Sequence, residues 1–129
     1  PTELAIRLVL EAAKIGVPSL KFHGRGDGIH HRDYVEILRF AADMRESVAA
    51  RGGFLELLIN THGNSAYSKM DGLVLADKVM LSIDSVVPAT YTKMRVGGRL
   101  GDVIWTAEEL LKRAPAADPF EGALPNLPE

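Results

Sequence analysis

Leu20-Lys21-Phe22-His23-Gly24-Arg25-Gly26-Asp27-Gly28 decides how this chain is read. A short run of buried-type residues passes straight into a glycine-punctuated acidic turn, with helical periodicity on both sides. That is the pattern of a βα loop at the carboxyl end of a parallel strand, where α/β folds bind their ligands. Glycines let a backbone approach a ligand closely and free its amides and carbonyls to bind it. Asp27 can accept hydrogen bonds from an ammonium or a hydroxyl group. The spacing is not the dinucleotide pattern G-x-G-x-x-G, because position 29 is Ile.

Working outward, Thr2 is placed to cap a first helix with Leu4, Leu8, Ala12 and Ile15 at helical spacing, ended by Gly16 and Pro18. Ser19 to His23 reads as the first strand. After the turn, Tyr34, Ile37, Leu38, Ala41, Met44 and Val48 form one apolar stripe on a second helix, stopped by Gly52 and Gly53. Phe54 to Ile59 is nearly continuous apolar, as in a parallel strand covered on both faces, with Glu56 the exception. A polar loop, Asn60-Thr61-His62-Gly63-Asn64, leads to a short helix over about 66–76 that contains Gly72. Val79 to Ile83 is the third strand. A loop from Ser85 to Arg99 precedes a last helix over 100–113, with Leu100, Val103, Ile104, Ala107 and Leu111 on one face.

The order α-β-α-β-α-β-α with short connections argues for an α/β fold, a parallel sheet of about three strands with flanking helices. Such a sheet has two open edges, and open edges invite pairing. The chain also starts on a helix and on Pro1 rather than Met. The expectation is one domain over 1–113, part of a longer unit, its edges covered by further strands or by a second copy. Segment 114–129 carries four prolines and reads as an extended tail or linker.

Composition narrows the function classes. A chain of 129 residues, 47% hydrophobic and 25% charged, has the balance of a globular domain. The net charge of −2 comes with no basic block, so nothing points to nucleic acid or an anionic membrane surface. No apolar run is long enough to span a bilayer and no signal peptide is visible, so a cytoplasmic protein is expected. Cysteine is absent, which removes disulfides, thiol nucleophiles and thiolate metal sites from this chain.

The polar residues gather at one end of the predicted sheet: His23 and Asp27 after the first strand, Asn60, Thr61 and His62 after the second, Ser82 and Asp84 after the third. Ser82 and Asp84 are two apart and share a strand face. A hydroxyl and a carboxylate there suit ribose or amine recognition, and Arg95 on the following loop can pair with a carboxylate. His30 and His31 are adjacent and point apart at a helix start, so they do not favour a shared ion. A metal-dependent hydrolase or lyase using His23, His62 and Asp84 is one alternative.

Four segments resemble the radical S-adenosylmethionine (radical SAM) superfamily. Gly24-Arg25-Gly26-Asp27 resembles its G-R-G-E-P turn, Ile59-Asn60-Thr61-His62-Gly63 its I-N-T-N-G, and Leu81-Ser82-Ile83-Asp84-Ser85 its S-I-D-G. Thr90 to Leu100 resembles its T-Y-x-x-x-R-x-G-G-x-L. The resemblance covers 4–113 and implies part of a (βα)6 partial TIM barrel that holds S-adenosylmethionine beside a [4Fe-4S] cluster. The cluster reduces the sulfonium, and a deoxyadenosyl radical abstracts hydrogen from the substrate. It further implies that Gly24, Arg25, Gly26 and Asp27 hold the methionyl amino group. Ser82 and Asp84 then lie by the ribose or methionyl moiety, Arg95 meets the carboxylate, and Asn60 and Thr61 line the cavity. Departures are Asp27 for Glu, Gly28 for Pro, His62 for Asn, and the lack of the three cluster cysteines. By itself the chain is expected to be inactive. A non-catalytic S-adenosylmethionine or nucleoside-binding module is the other alternative.

Overall fold

A computed structural model describes residues 1–23 and 26–113. Gly24, Arg25 and the predicted tail 114–129 lie outside the described residues. The elements run α1 (Thr2–Ile15), β1 (Ser19–Lys21), α2 (Tyr34–Ala49), β2 (Glu56–Thr61), α3 (Met70–Leu73), β3 (Lys78–Leu81), α4 (Pro88–Met94) and α5 (Leu100–Arg113). Single 3-10 turns at Gly28–His30 and Tyr67–Lys69 precede α2 and α3. The three strands form one parallel sheet in the order β1-β2-β3. The α/β class and the three-strand parallel sheet are as the sequence predicts.

Register explains the burial. Leu20 pairs with Leu57, and Thr61 with Leu81, so alternate residues of adjacent strands share a face. On one face Leu57 and Ile59 pack under the helices. Leu57 joins Val9 and Ala13 of α1 with Ala41 and Ala42 of α2. Ile59 joins Leu38 of α2 with Met70 and Leu73 of α3.

The opposite face is different. Glu56, Leu58 and Asn60 are only half-buried, Lys78 and Met80 are exposed, and Leu58 and Met80 join no apolar cluster among the described residues. The expectation that β2 is covered on both faces is therefore corrected. Glu56 breaks the apolar run because it faces the bare side, where it meets Lys78 at 3.2 Å. A sheet clad by helices on one face and bare on the other has the cross-section of a barrel wall.

Other details differ from the sequence reading. Pro1 holds the cap position of α1, and the Thr2 hydroxyl instead donates to Asp33 Oδ2 at 2.6 Å. This hydrogen bond, with a lesser one from Arg32, lowers the Asp33 pKa. The buried stripe of α1 is Val9 and Ala13, while Leu4, Leu8 and Ile15 are exposed. Helix α2 buries the predicted stripe, with Met44 only partly covered. The predicted helix over 66–76 shrinks to a 3-10 turn and one turn of α3. Gly72 lies there because an added Cβ would sit 3.1 Å from the Val35 Cα of α2. The predicted loop 85–99 contains α4, started by Pro88 at its first turn. In α5 the buried face runs through Leu100, Val103 and Thr106, leaving Ile104 and Leu111 exposed. Trp105 turns that face by stacking on Tyr67, ring centroids 3.9 Å apart. No helix among the described residues is long and apolar enough to cross a membrane.

Candidate functional site

The strand ends converge on one polar cleft of about 240 Å³, lined by His23, Gly26, Asp27, Asn60, Thr61, His62, Ser82 and Arg95. Six of the predicted site residues are among them. Asp84 is not in the lining; it acts from behind, accepting a hydrogen bond from Arg95 Nε. That bond holds the Arg95 guanidinium charged, raising its already high pKa.

Asp27 is the knot of the site. Its Oδ2 accepts from the Thr61 hydroxyl at 2.7 Å and from the His62 backbone N–H at 2.8 Å. Its Oδ1 accepts from the Ile29 N–H at 3.1 Å, capping the 3-10 turn Gly28–His30. One carboxylate thus ties the loop after β1 to the end of β2. An ionised carboxylate offers about four lone-pair sites, so Oδ1 retains room for one more donor.

Gly28 stands where the resembled motif has Pro, and the reason is steric. A Cβ built there would lie 2.6 Å from the Tyr34 ring. Tyr34 is buried, and its hydroxyl donates to the Phe22 carbonyl at 3.2 Å. Burial, and then the nearby Asp27 charge, raise the Tyr34 pKa so that it stays a neutral donor.

His62 is fixed in one tautomer. Its Nδ1 accepts from the Asn64 backbone N–H at 3.0 Å, so the ring proton sits on Nε2. From there it reaches His30 Nε2 at 3.1 Å and Asp27 Oδ2 at 3.3 Å. Burial lowers the His62 pKa, His30 and Arg95 lower it further, and only Asp27 opposes them. The imidazole is therefore neutral near pH 7, a donor and an acceptor with both ends used.

Asn60 Oδ1 accepts from the Ser82 hydroxyl at 2.9 Å, which fixes both on the bare face of the sheet. The Nδ1 of His23 is buried and has no hydrogen-bond partner among the described residues. An orphaned acceptor or donor of this kind costs about 1–3 kcal/mol, and its cleft position offers it to a bound group.

Two participants were not legible in the sequence. His30 was read as one of an adjacent pair, yet it meets His62 across the loop. Tyr91, which the sequence places in a loop, is fully buried. Among the described residues no group of three His, Cys, Asp or Glu is placed to hold a metal ion, so His23, His62 and Asp84 form no ligand set here.

The chain is 35% identical over 92 residues to a probable GTP 3′,8-cyclase of Methanosarcina acetivorans. It is 32% identical over 92 residues to a probable GTP 3′,8-cyclase of Methanosarcina mazei. Each match takes in 71% of this chain and 25% of the relative, so the chain spans about a quarter of these curated relatives. No protein-family model matches the chain. No solved structure matches it either.

Proposed function

We propose that this chain is the central part of a radical S-adenosylmethionine enzyme, and that the cleft is one wall of its S-adenosylmethionine site. The observation that carries this reading is convergence. Residues from all four resembling segments meet around one cleft: Gly26 and Asp27, Asn60 to His62, Ser82, and Arg95 backed by Asp84. The likeness to proteins named GTP 3′,8-cyclase supports it, and makes GTP the first substrate to try.

In this reading the chain binds and orients. Arg95 takes the methionyl carboxylate. The turn Gly24 to Asp27 takes the amino group through its carbonyls and the spare site on Asp27 Oδ1. Asn60 and Ser82 present a linked amide and hydroxyl to the ribose, and the Nδ1 of His23, without a partner among the described residues, suits a hydrogen-bonding ligand. A [4Fe-4S] cluster does not fit these residues, because the chain has no thiolate to hold it. The cluster belongs on cysteines elsewhere in the polypeptide, and no step through it is assigned to this chain. The free edges of β1 and β3 would be covered by the rest of a barrel or by a second copy. A hollow of about 400 Å³ beside β1, walled by Leu8, Val9, Phe22 and Ile37, gives room for that.

Titration calorimetry of the 129-residue chain with S-adenosylmethionine and S-adenosylhomocysteine tests the reading. Saturable binding that weakens in Ser82→Ala and Arg95→Ala is expected; no heat from the unaltered chain overturns it. A second reading, a non-catalytic S-adenosylmethionine or nucleoside module, draws on the absence of cysteine. A C-x3-C-x2-C motif encoded upstream separates the two.

A further inference from the structure

Arg95 has a support that its contact with Asp84 does not explain. Asn64 is buried at 8% exposure and uses both ends of its amide. Its Nδ2 donates to the Tyr91 hydroxyl at 2.7 Å, and its Oδ1 accepts from the Arg99 N–H at 2.8 Å. Tyr91 lies four residues before Arg95 and Arg99 four after it. One side chain therefore holds the Tyr91 hydroxyl on one side of Arg95 and the Arg99 backbone on the other. Tyr91 is itself fully buried against Leu100 and Val103, and its carbonyl accepts from the Arg95 N–H at 2.7 Å. The space between the grips is tight. A Cβ at Gly98 would lie 3.0 Å from Arg95 Cβ and 3.3 Å from Asn64 Nδ2. Asn64 lies on the loop that leaves β2 after Thr61, beside His62, so the grip references Arg95 to the far wall of the cleft.

We propose that Asn64 and Tyr91 are positioning residues, which set the Arg95 guanidinium against the carboxylate of the bound ligand. The inference rests on the reading of the cleft as an S-adenosylmethionine site. A planar guanidinium recognises a carboxylate through paired, directional hydrogen bonds, so small displacements of its Cα cost affinity. Asp84 holds Nε alone; where the fork stands is set by the segment from Tyr91 to Arg99, which Asn64 holds through the Tyr91 hydroxyl and the Arg99 N–H.

The test compares S-adenosylhomocysteine, which carries the amino-acid carboxylate, with 5′-methylthioadenosine, which lacks it. Calorimetry is run on the full chain and on Tyr91→Phe, Asn64→Ala and Arg95→Ala. Tyr91→Phe and Asn64→Ala are expected to weaken S-adenosylhomocysteine about tenfold and leave 5′-methylthioadenosine within about twofold. An equal loss for both ligands means a general structural role and overturns the proposal, as does no loss for either. If the unaltered chain binds neither ligand, or Arg95→Ala does not distinguish them, the reading of the cleft fails. In that event the Arg95 Nε–H resonance decides the positioning role. Its shift and exchange change in Tyr91→Phe if the grip holds Arg95, and an unchanged resonance overturns the proposal.

Discussion

The Asp27 carboxylate and the Thr61 hydroxyl meet at 2.7 Å across 34 residues of chain, and the pair closes the loop after β1 onto the end of β2. Thr61 is 2% exposed, and its oxygen also accepts from the Gly63 N–H at 3.1 Å. Thr61→Val keeps the shape but takes one of two donors from Asp27 Oδ2, which keeps the His62 N–H, and strands the buried Gly63 N–H. A loss of about 2 kcal/mol in urea denaturation is expected. Asp27→Glu, which restores the residue of the resembled motif, is expected to destabilise too, by about 1–2 kcal/mol, because the longer side chain moves the oxygens off three fixed donors. An unchanged midpoint in either variant would show that the contact is idle.

Gly28 and Tyr34 share one space. Gly28→Ala places a carbon against the Tyr34 ring and is expected to cost about 1–3 kcal/mol. In a Tyr34→Leu background the ring is gone and the added cost of Gly28→Ala shrinks. A double-mutant cycle by urea denaturation measures the difference; equal costs in the two backgrounds would place the penalty elsewhere.

His62 makes stability depend on pH with a definite sign. Its native pKa is lowered by burial, so the unfolded chain takes up this proton at a higher pH than the native one does. The contribution is complete above the ordinary value of 6.5 and is lost as pH falls from there through the native pKa. His62→Gln removes this slope. Urea midpoints at pH 8 and pH 5 are expected to differ more for the unaltered chain than for the variant. Parallel profiles would assign the slope to other groups.

Thr106 is fully buried on α5 and donates to the Gly63 carbonyl at 2.8 Å. Gly63 sits at φ +75, where an L side chain is strained, with Leu81 and Val103 at 3.3 Å from an added Cβ. The carbonyl direction at that turn is thus held from outside the loop. Thr106→Val is expected to cost about 1–2 kcal/mol, and Thr106→Ser to recover most of it. Thermal denaturation of the two variants checks this, and equal melting points would mean that the hydroxyl is not needed.

Much of this is legible in the sequence. The α2 stripe through Ile37, Leu38 and Ala41 is legible because a helix packed on a sheet buries one period-3.6 face. The strand ends at His23, Asn60 and Ser82 are legible because polar residues interrupt apolar runs there. The bare face of β2 was not. Leu58 is as apolar as Leu57, and nothing local shows that no helix among the described residues lies over it. The outward stripe of Leu4, Leu8 and Ile15 misled for the same reason: it has helical spacing, but α1 docks through the smaller Val9 and Ala13. Within the site, Asp27 and Arg95 were found through their segments. Asn64 and Tyr91 stand in the quoted segments, but their contact joins residues 27 apart and is invisible to spacing along one element.

The alternation along β2 separates two kinds of constraint within one strand. Leu57, Ile59 and Thr61 are fixed by close packing, where even a methylene is felt. Leu58 and Asn60, between them, join no apolar cluster among the described residues, and Asn60 is held only by the Ser82 hydroxyl. Substitutions there leave the fold nearly intact, so a scan along the strand would show tolerance rising and falling every second residue. That two-beat rhythm lets the cleft wall change its chemistry while the scaffold beneath it stands still.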